Sequence, residues 1–437
     1  VRHRRAGRPG SRAAVAVAAM TGLAALAAAG PHATAGTVAT GPTARAGAPV
    51  PGTVITEWMG TVAGTVDPVG GLTTPEEAVW HALVSTAMYN AVVGVEGRYE
   101  PYRWGARGPR TASAEAAAAA AAHRLLRLSF PAAAPRLREV YATSLARVPD
   151  GRAEDEGVTF GERAADHLLA LRAGDGRGAP VPFAARPAPG VWRPTPPGHQ
   201  PFASAWLARL RPMLLDSPAW FRPPPPPPLT SVRYARDLAE VRAYGAKEGS
   251  ARSPWQTETA VYFTELDLQK ALGDHADRHR FDLVDTARLY AAVNTVQLDA
   301  VVTAWDAKLT YGTWRPVTAI REAGRDGNPA TTADSRWEPL LPTPPHPDYL
   351  SGHAASGGAL TGTLTGLLGT SRIDLFLSSR GTGTTRHHRY AHEYDRDVVN
   401  ARVWGGIHTR TADTVGNAAG HRLAAWALER YFRPVRG

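Results

Sequence analysis

The chain has 437 residues, with 49 Lys and Arg against 39 Asp and Glu for a net charge of +10, and no cysteine. Disulfides, thiolate nucleophiles, iron–sulfur clusters and cysteine-ligated zinc are therefore excluded. A hydrophobic share of 43% with 20% charged residues describes a globular chain of two or three domains rather than a disordered one.

Residues 1–35 contain Arg2, Arg4, Arg5, Arg8 and Arg12 and no acid, which is half of the net charge. An apolar run from Ala13 to Ala29 follows, and then the small residues Ala33-Thr34-Ala35, the pattern of a signal peptide cleaved on export. The run is short and alanine-rich, so an exported protein without a stable membrane anchor is expected. The Arg4-Arg5 pair is compatible with a twin-arginine route as well as general secretion. The charge left on the rest of the chain is too dilute to imply a nucleic-acid partner.

Residues 36–53 are Gly, Pro, Thr and Ala without periodicity and read as a flexible linker. Residues 54–222 read as an N-terminal helical half. Thr74-Pro75-Glu76-Glu77 combines a cap, a first-turn proline and a capping-box glutamate, and predicts a helix to about Val95. Further helices are expected over residues 113–130, 137–146 and 158–173. Prolines and aromatics then dominate, ending in the six prolines Pro223–Pro228, which exclude helix and predict an extended connection. Residues 229–437 read as a C-terminal helical bundle, with helical pattern at 231–244, 257–271, 281–309, 351–368 and 416–432. The stretch Arg386-His387-His388-Arg389, with His392 and Glu393, is expected to be solvated loop rather than a metal cluster. The expected fold class is all-α, built from helical bundles.

Three polar clusters stand in the C-terminal half. They are Trp305-Asp306-Ala307-Lys308 with Arg315-Pro316, then His346-Pro347-Asp348-Tyr349-Leu350-Ser351-Gly352-His353, then Arg402-Val403-Trp404-Gly405-Gly406-Ile407-His408. Singly, each has an ordinary structural explanation: a lysine at a helix end, a serine N-cap, a polar turn. Together they supply two guanidinium forks and an ammonium for an oxyanion, with a serine hydroxyl and the Gly352 amide at a helix start. Two imidazoles, His353 and His408, would flank that anion as ligand or nucleophile and as acid/base. Trp305, Tyr311, Trp314, Trp337 and Trp404 lie around the clusters and are expected mainly to pack. His81, Tyr89 and Asn90 are expected to be core polar groups.

In order and spacing the three clusters resemble the signature of the type 2 phosphatidic acid phosphatase and vanadium-dependent haloperoxidase superfamily. Pro189-Gly190-Val191-Trp192-Arg193-Pro194, Trp314-Arg315-Pro316-Val317-Thr318 and Asp326-Gly327-Asn328-Pro329 look like its exported bacterial haloperoxidase branch. The resemblance implies that His408 binds the vanadium of vanadate, and that Lys308, Arg315 and Arg402 neutralise the oxygens. Ser351 and Gly352 would donate to them, and His353 would be the acid/base. Phosphate would fit the same site. The implied reaction oxidises halide with hydrogen peroxide to a hypohalous acid equivalent that halogenates an organic acceptor. Trp305 and His346 are candidates for the halide pocket, and a histidine at His346 is the bromoperoxidase-like choice. Paired bundles of this kind often form homodimers.

Two rivals remain. One is an exported acid phosphatase using the same pocket through a phosphohistidine on His408; the other is a helical protein that holds phosphate without turning it over. The phosphatase branch carries an aspartate four residues after its second histidine, where this chain has Ala412, with Asp413 one residue later. One residue turns a helical side chain by about 100°, so no relay from Asp413 to His408 is expected.

Overall fold

The structure is a computed structural model, which describes residues 50–435 apart from Gly71; the expected signal peptide and most of the expected linker lie outside the described residues. It is helical throughout, with thirteen α-helices and one β-hairpin among the described residues. Helices α1 (Thr53–Gly70), α2 (Thr74–Glu96), α3 (Ala114–Ser129), α4 (Ala134–Leu145) and α5 (Arg152–Leu171) form the first part. Glu76 closes the capping box on Thr73, and Gly97 ends α2 in the left-handed conformation. By length and composition α2 could cross a membrane, but 83% of its apolar window is buried inside the protein, as expected of a core helix.

After the proline-rich region come α6 (Val232–Tyr244), α7 (Pro254–Tyr262), α8 (Leu268–Arg278) and α9 (Leu283–Tyr311). The single helix expected over 257–271 is two, because the intervening backbone bonds elsewhere: Asp267 N–H donates to Ser378 O at 3.0 Å and Glu265 O accepts from Arg380 N–H at 2.9 Å. Helix α9 is 29 residues long and buried on every side from Leu289 to Lys308. It is the axis on which α2 and α11 pack. Asp282 caps its start and Gly312 ends it in the left-handed region.

The remaining elements are α10 (Pro316–Arg321), α11 (Gly352–Leu368), β1 (Arg372–Ser378), β2 (Thr385–Tyr390), α12 (Ala391–Trp404) and α13 (Arg410–Leu428). The stretch Arg386–Arg389, expected as loop, is instead strand β2, antiparallel to β1 with His388 opposite Leu375. The reason is a hidden apolar face: Ile373, Leu375 and Leu377 of β1 are buried, and His388 is buried beside Tyr262, Phe263 and Tyr394. His392 and Glu393 begin α12, where Glu393 accepts from the Tyr390 amide.

One hydrophobic core runs from Val54 to Phe432. A smaller one, with Tyr234, Val241, Trp314, Ile320, Trp337 and Val403, sits under α6 and α10. It anchors the immediate neighbours of Arg315 and Arg402. The polyproline segment is an extended strap over this region, held where the hydroxyls of Tyr311 and Tyr349 donate to Pro223 O at 2.7 Å and Pro224 O at 2.8 Å.

Candidate active site

Lys308 lies in the last turn of α9, Arg315 precedes α10, Ser351 caps α11, Arg402 lies in the last turn of α12, and His408 precedes the Thr409 cap of α13. Five helix ends thus bring together residues spread over a hundred positions. The α12–α13 connection turns on Gly406, whose φ is +75° and whose missing Cβ leaves room for the Gly245 carbonyl. Gly352 is required for a different reason: a Cβ there would lie 2.8 Å from the Trp305 ring. Ser351 N–H donates to Ala412 O at 3.1 Å, tying the start of α11 to α13. The peptide bond just before, Tyr349–Leu350, is cis.

Lys308, Arg315 and Arg402 are buried, at 0%, 0% and 3% exposure. Lys308 Nζ donates to Pro347 O at 2.6 Å and Asp348 O at 3.0 Å. Arg315 donates from Nε to His346 O at 2.6 Å, from one terminal nitrogen to Ile407 O at 2.6 Å, and from the other to His346 Nδ1 at 2.8 Å. Arg402 donates to Phe263 O at 3.4 Å, and its Nε is buried with no partner. Among the described residues no carboxylate forms an ion pair with any of these three cations. Burial pulls Lys308 well below its usual value, with Arg315 adding to it, and brings Arg315 and Arg402 down to about 10.

The two imidazoles differ in setting. His408 is buried, with Nδ1 2.6 Å from Asp348 Oδ1 and Nε2 3.1 Å from an Arg315 terminal nitrogen. Burial, then the charges of Arg315, Lys308 and Arg402, holds it well below the usual histidine range. His353 is exposed, and Arg402 is the main reason its imidazolium is disfavoured. Trp305 and His346 also reach the cluster: their ring centroids are 4.9 Å apart, and Lys308 Nζ is 5.6 Å from the Trp305 ring centre.

All nine sequence-selected residues, Trp305, Lys308, Arg315, His346, Ser351, Gly352, His353, Arg402 and His408, therefore fall in one region. Asp306 turns away toward Arg222 at 3.2 Å and Arg209 at 3.8 Å. His81, Tyr89 and Asn90 are interior groups as expected, Tyr89 donating to Glu100 O and Asn90 pairing with the Tyr102 backbone. Asp348 is the residue whose part the sequence reading missed. It is 1% exposed, accepts from Thr409 Oγ1 at 2.7 Å through its second oxygen, and burial raises it to about 6. Asp413 is fully buried with both oxygens unpartnered, and burial raises it well above the usual range. On the far side of Asp348, a cavity of about 290 Å³ lies under the strap, lined by Pro226, Pro228, Tyr234, Trp314, Asp348 and Thr409.

Residues 288–437 match the family model of the VCPO second helical-bundle domain. The chain is 29% identical over 146 residues to a vanadium chloroperoxidase of Curvularia inaequalis, a match covering 26% of this chain and 23% of the relative. The fold is similar to that of a bacterial vanadium-dependent iodoperoxidase, with a TM-score of 0.74 and 22% identity over 89% of this chain and 98% of the other. It is also similar to a holo-type bacterial vanadium-dependent chloroperoxidase, with a TM-score of 0.65 and 19% identity over 83% and 93% of the two chains. The C-terminal part of the chain is thus similar to the VCPO second helical-bundle domain, and the fold is similar to that of these bacterial vanadium-dependent peroxidases.

Proposed function

We propose that the chain is a vanadate-dependent haloperoxidase that oxidises halide with hydrogen peroxide to a hypohalous acid equivalent, which halogenates an organic acceptor. The observation that carries this is the set of three buried cations with no carboxylate in ion-pair contact among the described residues, an excess of charge over the two buried carboxylates nearby, Asp348 and Asp413. Burying unpaired charge is costly, and a bound oxyanion compensates it. The donor set fits: it is cationic or N–H throughout, Arg402 Nε is free to donate, and no group of three or more His, Asp or Glu suited to a divalent metal occurs among the described residues.

Lys308, Arg315 and Arg402 would hold the oxyanion's oxygens, and the Ser351 hydroxyl and Gly352 amide would donate to them at the start of α11. His408 would ligate through Nε2. Vanadate bound there supplies a Lewis acid that activates hydrogen peroxide toward halide. The three cations stabilise negative charge that develops on its oxygens, in a site already organised before reaction. His353, exposed and neutral beside Arg402, would take a proton from hydrogen peroxide and give one back, as the site's acid/base. Trp305 and His346 form the wall where halide would approach.

One observation favours a second reading. The Asp348–His408 pair is also the arrangement that activates an imidazole nucleophile, so the carboxylate that Asp413 was not expected to provide is present from elsewhere. Acid phosphatase activity through a phosphohistidine is the reading it supports. Anion-stripped full-length protein should be assayed for bromide and chloride oxidation with peroxide, with and without orthovanadate, beside phosphate-ester hydrolysis. Halide oxidation that appears only with vanadate is expected; brisk hydrolysis without it would establish the phosphatase instead.

A further inference from the structure

We propose that Asp348 is the positioning residue for His408, holding the tautomer in which Nδ1 carries the proton and Nε2 keeps a lone pair for the bound oxyanion's central atom. The proposal rests on the haloperoxidase reading only for the identity of that anion. The contact at Nδ1 reports the tautomer. A carboxylate accepts and does not donate, so the 2.6 Å contact from Asp348 Oδ1 requires a proton on Nδ1. With that proton on Nδ1 a neutral imidazole keeps its lone pair on Nε2, and one Arg315 terminal nitrogen lies against the ring, 3.1 Å from Nε2 and 3.5 Å from Nδ1.

Asp348 is itself fixed at every polar group. Its second oxygen accepts from Thr409 Oγ1 at 2.7 Å, its amide donates to Thr313 O at 2.9 Å, and its carbonyl accepts from Lys308 Nζ at 3.0 Å. With 1% exposure the carboxylate has nowhere else to turn. It comes from the loop before α11, sixty positions ahead of the histidine. Asp413, on the helix that follows His408, faces Ser351 and makes no such contact. The same lysine that would hold the oxyanion thus also holds the backbone of the residue that orients its nitrogen ligand.

The test separates positioning from simple charge, because the two have opposite signs. Asp348→Asn removes a negative charge beside three cations, which by charge alone tightens every anion. If Asp348 sets the tautomer, the variant instead weakens vanadate by about 10–100-fold, the usual loss for a partner of a metal-ligating histidine. Inorganic phosphate, which stays four-coordinate and takes no nitrogen ligand, is then held as tightly as before or more so. Dissociation constants for orthovanadate and phosphate would be measured by calorimetry on the full chain, with Thr409→Ala as a milder variant expected to show a smaller loss of the same pattern. In parallel, ring ¹⁵N shifts of His408 in anion-free protein, assigned against His408→Gln, are expected to show Nδ1 protonated and Nε2 bare. Equal shifts in affinity for both anions, or a proton on Nε2, would overturn the assignment. Wild-type protein that binds vanadate no better than phosphate would sink the haloperoxidase reading, while the nitrogen shifts would still decide the role of Asp348.

Discussion

Lys308, Arg315 and Arg402 were legible in the sequence because their spacing to the serine and histidine clusters is a local property of the chain. Asp348 stands in the same second cluster, but nothing in its spacing connects it to a histidine sixty positions away; that contact exists only once α11 and α13 are packed. The two histidines are expected to separate in function. His408→Ala should lose vanadate retention, whereas His353→Ala should retain vanadate and lose about 10²–10⁴-fold in halide turnover, the usual share of a positioned acid/base. Vanadium content after gel filtration, beside the turnover number, measures both. Equal retention in the two variants would contradict the roles given to them.

Among the elements, the long helices were readable from caps and periodicity, and the misses have identifiable causes. Helix α1 is rich in Val, Thr and Gly, poor helix formers, yet Val54, Ile55, Trp58, Met59, Val62 and Val66 are all buried along one side, so packing overrides propensity. Helix α12 buries Asp397 and Arg402 among its apolar residues, which masks its period. Helix α13 begins at Arg410, ahead of the expected start, because Thr409 caps it through the Ala412 amide. The connection between these two helices carries the sharpest backbone requirement. Gly406→Ala places a Cβ at φ +75° and against the Gly245 carbonyl, so a loss of at least about 1–2 kcal/mol is expected from the left-handed conformation alone. Urea unfolding would measure it, and phosphate affinity should fall too, since Arg402 and His408 flank the turn. Unchanged stability would show that the turn relaxes freely.

For the whole molecule, the all-α class was legible from helical patterning, whereas the continuity of the core was not. Helix α9 is covered on all faces because elements from both sides of the polyproline strap pack on it, and the strap itself is pinned by two tyrosine hydroxyls. Core histidines add a pH dependence. His275 in α8 is fully buried, with burial and then His279 lowering it to about 4. Its folded value lies below its unfolded one, so the unfolded chain binds the extra proton and stability falls as pH drops from about 6.5 toward 4. The loss from this group alone is about 2 kcal/mol at a pH of about 5. His275→Gln should therefore show a smaller drop in urea midpoint between neutral and mildly acidic buffer than wild type; an identical drop would remove His275 as a source.

The central claim is that three buried cations and His408 are built around one vanadate. The most direct measurement is the rate of peroxide-dependent bromide oxidation as orthovanadate is titrated into anion-stripped full-length protein, repeated in excess phosphate. A rise from near zero to a plateau at about one vanadate per chain is expected, shifted to higher vanadate by phosphate because both occupy the same cations. A rate that ignores vanadate, or a vanadate response that phosphate leaves unmoved, would contradict it.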